Sequence, residues 1–269
     1  SEGKRVMDAN TASVVSTNIR GKIGIITICN QKKRNALSKA VLDGICLALS
    51  EFERSRVTVA VLRAEAGSQV WSAGHDISEL PLHTDPLGFF DPLEAALRAV
   101  QNFPGPVLAM VEGTVWGGAC DLAFTCDILI GEPGSSFAIT PVKLGLPYNA
   151  SGIMHFINRV GLNIAKEMFF TADPIKAERA LNLGILNHLV PKPELESFSL
   201  AMAERMASHS ALSISVIKEQ FRLLTNAHAI TPESFEMIQG MRRKVYLSHD
   251  YAEGIKAFME KRAPVFEGN

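Results

Sequence analysis

Two glycines ahead of a helical run, and a histidine ahead of an acid, are the residues whose spacing in this chain could do chemistry. Gly117-Gly118 separates the apolar run Val107-Leu108-Ala109-Met110-Val111 from Ala119, Leu122, Ala123 and Cys126, which recur at helical spacing. That order reads as strand, glycine turn, helix. Glycine lets the backbone turn sharply and lets a ligand approach it closely. The first N–H groups of a helix have no partner inside it, and the dipole there favours negative charge. The Gly118 N–H is therefore a candidate donor to an oxyanion. Earlier, Trp71-Ser72-Ala73-Gly74-His75-Asp76 follows a strand-like Val59-Ala60-Val61-Leu62. Asp76 with Glu79 three residues on fits a capping box, so a helix would start beside His75 and leave the His75 N–H near its free end. Two such N–H groups are what an oxyanion hole needs.

Together, Trp71-Ser72-Ala73-Gly74-x-Asp76-x-x-Glu79 and Val111-x-Gly113-x-x-x-Gly117-Gly118-Ala119 resemble the crotonase, or enoyl-CoA hydratase/isomerase, superfamily. The resemblance runs from Asn35-Ala36-Leu37-Ser38 to Lys261-Arg262-x-Pro264-x-Phe266. It implies that the His75 and Gly118 N–H groups hold a thioester oxygen. It also implies an α/β fold, a spiral of ββα units with a C-terminal helical region that packs trimers or hexamers. The backbone of Ala73, Gly74, His75, Asp76 and Ile77 would line the adenine and pantetheine path. Lys261 would reach a CoA phosphate, often on a neighbouring subunit, although a lysine near a C-terminus is usually solvated. The loop holding Lys32, Lys33 and Arg34 would lie beside the CoA nucleotide, or be a solvated loop.

An oxyanion hole does not choose between an enolate and a tetrahedral intermediate; the nearby acids and bases do. Hydratases of the superfamily carry two glutamates, at positions that match Asp121 and Val142 here. Water addition by that route needs paired carboxylates. One is shortened and the other is gone, which argues against a hydratase. Decarboxylation of a malonyl-type thioester needs less, because the departing CO2 leaves its electrons to an enolate that the hole can hold. The motifs around Ile139-Thr140-Pro141-Val142, Pro147-Tyr148-Asn149 and Gly184-Ile185-Leu186-Asn187-His188 resemble decarboxylating members of the superfamily that act on methylmalonyl thioesters. The phenol of Tyr148 is then expected to donate to the substrate carboxylate, where otherwise it would pack in a loop. Thr140 would donate to the same carboxylate or hold a proton-giving water; equally, its hydroxyl could satisfy a turn. Asp121 either stabilises a helix start or moves a proton. The His75 side chain could contact the carboxylate or supply a proton, although a histidine beside a helix N-terminus tends to stay neutral. The alternatives are an isomerase, hydratase or thioester hydrolase using Asp121, and a catalytically silent acyl-CoA-binding oligomer.

The elements that must position these residues follow from pattern. Ser13–Thr17 and Ile23–Cys29 read as a hairpin around Gly21-Lys22. Ser38 starts a helix with apolar Val41, Leu42, Ile45, Leu47, Leu49 and Phe52. Leu93–Phe103 is helical and stopped by Pro104-Gly105-Pro106. Pro81–Pro92, rich in proline and aromatics, reads as an irregular segment that could form a flap over the acyl pocket. A short helix within Pro174–Gly184 ends at a glycine cap, Ile185–Val190 reads as a last strand, and helices follow over about 195–208, 211–227, 232–247 and 249–261. The domain reading is a loose N-terminus over 1–12, an α/β core with the site over 13–200, and a helical region over 201–269.

Composition sets the outer bounds. With 27 Lys+Arg against 28 Asp+Glu in 269 residues, no basic block points to nucleic acid or a membrane surface. No apolar run approaches the roughly 18–20 residues of a membrane span. Cys29, Cys46, Cys120 and Cys126 sit in apolar contexts without a C-x-x-C pair and read as reduced core residues. His75 and Glu79 have a spacing that two metal ligands could use, but the cap accounts for Glu79 and no third ligand is placed. No metal and no cofactor beyond the CoA of the substrate is expected. The N-terminal segment lacks the apolar stretch of a secretory signal, so a cytoplasmic protein is the expectation.

Overall fold

The computed structural model describes residues 14–269. The expected loose segment 1–12 lies outside the described residues. β1 (Val15–Arg20) and β2 (Ile23–Ile28) form the expected antiparallel hairpin, with Gly21 at φ +59° in its turn. From β2 the main sheet continues in parallel through β3 (Val59–Ala64), β5 (Val107–Val111), β7 (Ile128–Gly131) and β10 (His188–Leu189). A smaller sheet holds β4 (Val70–Ser72), β6 (Thr114–Trp116) and β8 (Ser136–Ala138) in parallel, with β9 (Ile175–Lys176) antiparallel at its edge.

Successive strands alternate between the two sheets. β3 leads to β4, β5 to β6 and β7 to β8, and a helix follows each pair: α2 (Pro92–Asn102), α3 (Gly118–Thr125) and α4 (Ala150–Thr171). This is the expected spiral of ββα units. In the first turn α1 (Lys39–Arg54) follows β2, and an isolated bridge from Leu37 to His75 stands where a second strand would be.

The apolar runs of the main sheet are explained by burial on both faces. Val59, Val61, Leu108, Met110 and Ile130 face Leu195 and Ala203 of α6 (Leu195–Ala207). Ala60, Leu62, Val107 and Ala109 face the larger core with Phe52, Trp71 and Leu97. Successive residues of a strand point to opposite faces, so one strand serves two layers. Ser38 caps α1 by accepting from Val41 N–H at 3.3 Å, and Phe52 of α1 occupies the space that a side chain at Gly24 would need.

The C-terminal part is helical as expected. α5 (Ala177–Asn182) ends near Gly184, at φ +75°. α6 covers the sheet, so residues 200 and 201, where the core was expected to end, lie inside a helix whose Leu195, Ser199 and Ala203 are buried. α7 (Ala211–Thr225) buries none of its residues, and α8 (Pro232–Tyr246) buries Arg242 and Tyr246. α9 (His249–Met259) lies on the Pro141–Leu144 turn so closely that Gly254 touches the Leu144 backbone. The strand expected over Ile185–Val190 is only the pair His188–Leu189. Ile185 and Leu186 instead donate their N–H groups to Ala180 O, closing the end of α5. All four cysteines are free, with Cys120 and Cys126 buried.

Candidate active site

Two peptide groups meet where the spiral brings β4 beside β6. The Gly74 carbonyl accepts from Leu37 N–H at 2.7 Å. A trans peptide sets its N–H opposite its carbonyl. The His75 N–H therefore points away from Leu37. The Gly117 carbonyl accepts from Cys120 N–H at 2.9 Å, so the Gly118 N–H, first in α3, points out of the helix end. Among the described residues neither N–H meets an acceptor. Gly74 sits at φ +87° and Gly117 at φ +58°, ψ −133°, conformations open to glycine. A side chain at Gly74 would strike the Trp116 carbonyl and come within 3.1 Å of Gly118 N. The two glycine segments thus allow a backbone approach that brings His75 N to 3.9 Å from the Cβ position of Gly118.

These N–H groups open on a small apolar cavity of about 70 Å³, walled by Ile77, Leu87, Leu93, Leu146, Thr140 and Tyr148. Among the described residues its lining contains no Asp, Glu, Lys or Arg. It adjoins a groove of about 700 Å³ that shares Ala73, His75, Ile77 and Thr140 with it. Lys33, Arg34, Lys143 and Arg262 stand along that groove, and Trp116 lines it too. Thr140 Oγ1 lies 3.6 Å from the Cβ position of Gly117.

The capping box is only half made. Asp76 accepts from Ser78 N–H at 3.1 Å, but Ile77–Glu79 is a single 3-10 turn. Glu79 reaches away and accepts the free N–H of Lys39 at the start of α1, at 2.8 Å. That bond, formed forty positions upstream, was not readable from local spacing. Partial burial works against the Asp76 carboxylate, but hydrogen bonds from Ser78 and Lys33 outweigh it and hold its pKa low. Burial lowers the pKa of the His75 ring below its ordinary 6.5. Its Nδ1 is buried without a partner among the described residues. In the single chain, Arg262 rather than Lys261 lines the groove. Arg262 is held by Glu253 at 2.5 and 2.8 Å, and Lys261 is exposed at φ +54°. Lys33 and Arg34 line the groove and Lys32 does not.

Asp121 is fully buried in the first turn of α3 and takes two short bonds. Tyr148 donates its hydroxyl to Oδ2 at 2.6 Å, and His155 Nδ1 lies 2.6 Å from Oδ1. The phenol was expected to donate into the acyl cavity; here its single O–H is turned to Asp121. Burial is the largest influence on Tyr148 and raises its pKa well above 10.0, with the Asp121 charge adding to it. Burial would lower His155, but the Asp121 carboxylate and hydrogen bond outweigh it and raise its pKa above 6.5. Next to them Glu94, raised by burial, accepts from Asn149 at 2.6 Å, and Asn149 caps α4 through Gly152 N–H at 3.1 Å. His155 and Glu94 were not singled out from sequence, and Asn149 entered only as the end of the Pro147-Tyr148-Asn149 motif. Asn149 ahead of a helical run was the one available signal.

The Pro81–Pro92 segment is irregular, as expected, and forms one wall. Asn149 donates to Leu87 O at 3.2 Å, Tyr251 to Pro81 O at 2.9 Å, and Arg242 to Asp85 Oδ1 at 2.8 Å.

Residues 18–269 match the model of the enoyl-CoA hydratase/isomerase family. The chain is 47% identical over 264 residues to methylmalonyl-CoA decarboxylase of Escherichia coli K12, covering 98% of this chain and 100% of that protein. It is 33% identical to the human enoyl-CoA hydratase domain-containing protein 3, over 90% of this chain and 79% of that protein. Among solved structures, methylmalonyl-CoA decarboxylase in complex with 2-nitronate-propionyl-CoA superposes with a TM-score of 0.93 at 47% identity, covering 95% of this chain and 99% of that chain. The same enzyme complexed with 2S-carboxypropyl CoA gives a TM-score of 0.93 over 95% of this chain and 98% of that chain. This chain belongs to the enoyl-CoA hydratase/isomerase, or crotonase, family.

Proposed function

We propose that this chain is a carboxy-lyase that decarboxylates methylmalonyl-CoA to propionyl-CoA, with malonyl-CoA as a second substrate. One observation carries the reading: two acceptor-free N–H groups face an apolar cavity whose lining holds no carboxylate. The hole can stabilise an enolate, while a hydratase needs paired carboxylates at the reacting carbon. Asp121 is engaged on both oxygens, and Val142 at the second glutamate position is exposed on the Pro141–Leu144 turn.

The thioester carbonyl accepts from His75 N–H and Gly118 N–H. The bond to the carboxylate carbon breaks, its electron pair enters the thioester as an enolate, and CO2 leaves without a proton. A proton then adds to the α-carbon. Losing one such donor costs about a hundred- to a thousandfold in rate. The cavity wall offers no cation to the departing carboxylate, so the ground state is not held back. Thr140 and Tyr148 are its polar neighbours. The groove cations Lys33, Arg34, Lys143 and Arg262 suit the phosphates of CoA. The relatives support this: two solved complexes of methylmalonyl-CoA decarboxylase hold the CoA derivatives 2-nitronate-propionyl-CoA and 2S-carboxypropyl CoA, and a nitronate, like an enolate, is a planar delocalised anion.

The same reading includes assembly as a homotrimer or hexamer, in which Lys261 serves a neighbouring site. It is supported by Leu212, Phe221 and Leu224 of α7, each at least 65% exposed in the single chain. It also includes a cytoplasmic location and no cofactor besides the CoA of the substrate. Among the described residues no helix is long and apolar enough to cross a membrane. Light scattering reads the assembly, and turnover in chelator reads the cofactor.

The test is to incubate the protein separately with methylmalonyl-CoA, malonyl-CoA and crotonyl-CoA and follow products by mass. Propionyl-CoA from the first with no hydration of the third supports the reading. Hydrated crotonyl-CoA, or no product from either malonyl-type thioester, overturns it.

A further inference from the structure

Tyr148, Asp121 and His155 form a hydrogen-bonded line between two cavities. Tyr148 lines the acyl cavity. His155 lines a second cavity of about 540 Å³ between α7 and the α3–α4 layer, alongside Arg159, Lys218 and Arg222. Asp121 joins them from a fully buried position and lines neither.

The phenol has one proton to give. While Asp121 is ionised, the phenol directs its O–H at Oδ2 across 2.6 Å and offers the acyl cavity only lone pairs. A substrate carboxylate and an enolate are themselves acceptors, so in that state Tyr148 cannot help either. We propose that His155 sets the direction in which Tyr148 donates: a proton passed from His155 Nδ1 to Asp121 Oδ1 neutralises the carboxylate and releases the Tyr148 O–H to turn into the acyl cavity. One N–H bond breaks and one O–H bond forms. Imidazolium becomes imidazole, carboxylate becomes carboxylic acid, and the net charge of the pair is unchanged. The bond from Tyr148 to a neutral acid is roughly half as strong as one to a carboxylate, which is what lets it turn. The inference deepens the decarboxylase reading and rests on it. His155 is a positioning residue, since it acts through Tyr148.

The proton reaches His155 from the second cavity. Gln101 Nε2 stands 3.0 Å from His155 Nε2, an arrangement that suits neutral imidazole with its proton on Nδ1. Uptake at Nε2, with Gln101 turning its amide oxygen inward, loads the line. His155 is faced by Asp121 and Thr125 from α3 and by Gln101 and Glu94 from α2. The cations that share its cavity are occupied: Lys218 pairs with Asp127 at 2.9 Å, Arg222 with Glu219 at 2.6 Å, and Arg159 donates to Phe124 O at 3.0 Å. The acids outweigh burial, so His155 keeps its proton to higher pH than an ordinary histidine.

The test is His155→Asn, which keeps an N–H for Asp121 Oδ1 and carries no mobile proton. Expected are a drop in kcat/KM for methylmalonyl-CoA of about tenfold to a hundredfold and loss of the alkaline limb of the pH profile. Adding Asp121→Asn, whose amide can donate to Tyr148 as the neutral acid does, restores kcat/KM to within about threefold of wild type and makes it independent of pH. A His155→Asn protein of unchanged melting temperature with wild-type kcat/KM and pH profile overturns the inference. So does a double variant no better than the single one. If wild-type protein does not decarboxylate methylmalonyl-CoA, the functional reading fails, and calorimetry decides the relay by itself. The preference for methylmalonyl-CoA over propionyl-CoA should then fall with rising pH in the wild type and be lost in His155→Asn; a preference unchanged by either overturns it.

Discussion

Leu37 and His75 are joined by an isolated parallel bridge, in which Leu37 N–H donates to the Gly74 carbonyl at 2.7 Å. The bridge does for the first turn of the spiral what a strand does for the others. Because it clamps the carbonyl of the Gly74–His75 peptide, it also fixes the opposite direction for the N–H. Leu37 is fully buried, so the donor doing the clamping is itself immobilised by the core. The N–H of His75, the proposed oxyanion donor, is therefore aimed by packing thirty-eight positions earlier in the chain.

Gly74→Ala should lower kcat by about a hundredfold or more, since one donor of the hole is displaced. The added methyl group meets the Trp116 carbonyl, and φ +87° is strained for alanine. Steady-state kinetics with a melting curve check this. A variant that keeps wild-type kcat would show that the His75 N–H is not a donor to the reacting oxygen.

Tyr148→Phe should reduce kcat more than it weakens propionyl-CoA binding. It also leaves buried Asp121 with one partner, costing stability by about 1–3 kcal/mol. Kinetics, calorimetry and denaturant titration separate the three effects. Wild-type kcat with lost stability alone would make the tyrosine a purely structural residue.

Stability should vary with pH through two histidines of opposite sign. The pKa of His155 is raised in the folded chain above its ordinary 6.5. Its pairing with Asp121 thus stabilises fully below 6.5, and that part is lost as pH rises through the folded value. The pKa of His75 is lowered, so its burial as neutral imidazole is fully favourable above 6.5, and that part is lost as pH falls through the folded value. The melting-temperature difference between wild type and His155→Asn should therefore shrink as pH rises above 6.5. A difference that grows on the alkaline side contradicts the assignment.

Arg242→Ala should loosen the wall of the acyl cavity. Arg242 donates to Asp85 at 2.8 Å and to Pro147 O at 3.3 Å, tying the 81–91 segment to the turn before α4. Asp85 is partly exposed, which limits the loss to about 1–3 kcal/mol. A rise in KM for acyl-CoA thioesters should accompany it, since Pro86 and Leu87 line the cavity. Unchanged KM in a destabilised protein would make the strap a stability feature alone.

What could be read in the sequence was what depends on neighbours along the chain. Ser38 caps its helix, Gly21-Lys22 turns its hairpin, and Gly117-Gly118 breaks strand from helix because each is a local backbone requirement. The three-residue strands β4, β6 and β8 were not read, as three residues are too short to show a period. Bonds across the spiral escaped for a different reason. Glu79 serves α1, His155 reaches back to Asp121, and Arg242 crosses to Asp85, so each partner is chosen by topology. Tyr148 was identified, but the direction of its O–H depends on a carboxylate 27 positions away.

The measurement that bears most directly on the enolate account is turnover of methylmalonyl-CoA in D2O with mass detection of the acyl product. The account predicts propionyl-CoA carrying a single deuterium at the α-carbon, with the rate falling about a hundredfold or more in Gly74→Ala. Product lacking solvent deuterium, or a hydrated product from crotonyl-CoA at a comparable rate, would contradict it.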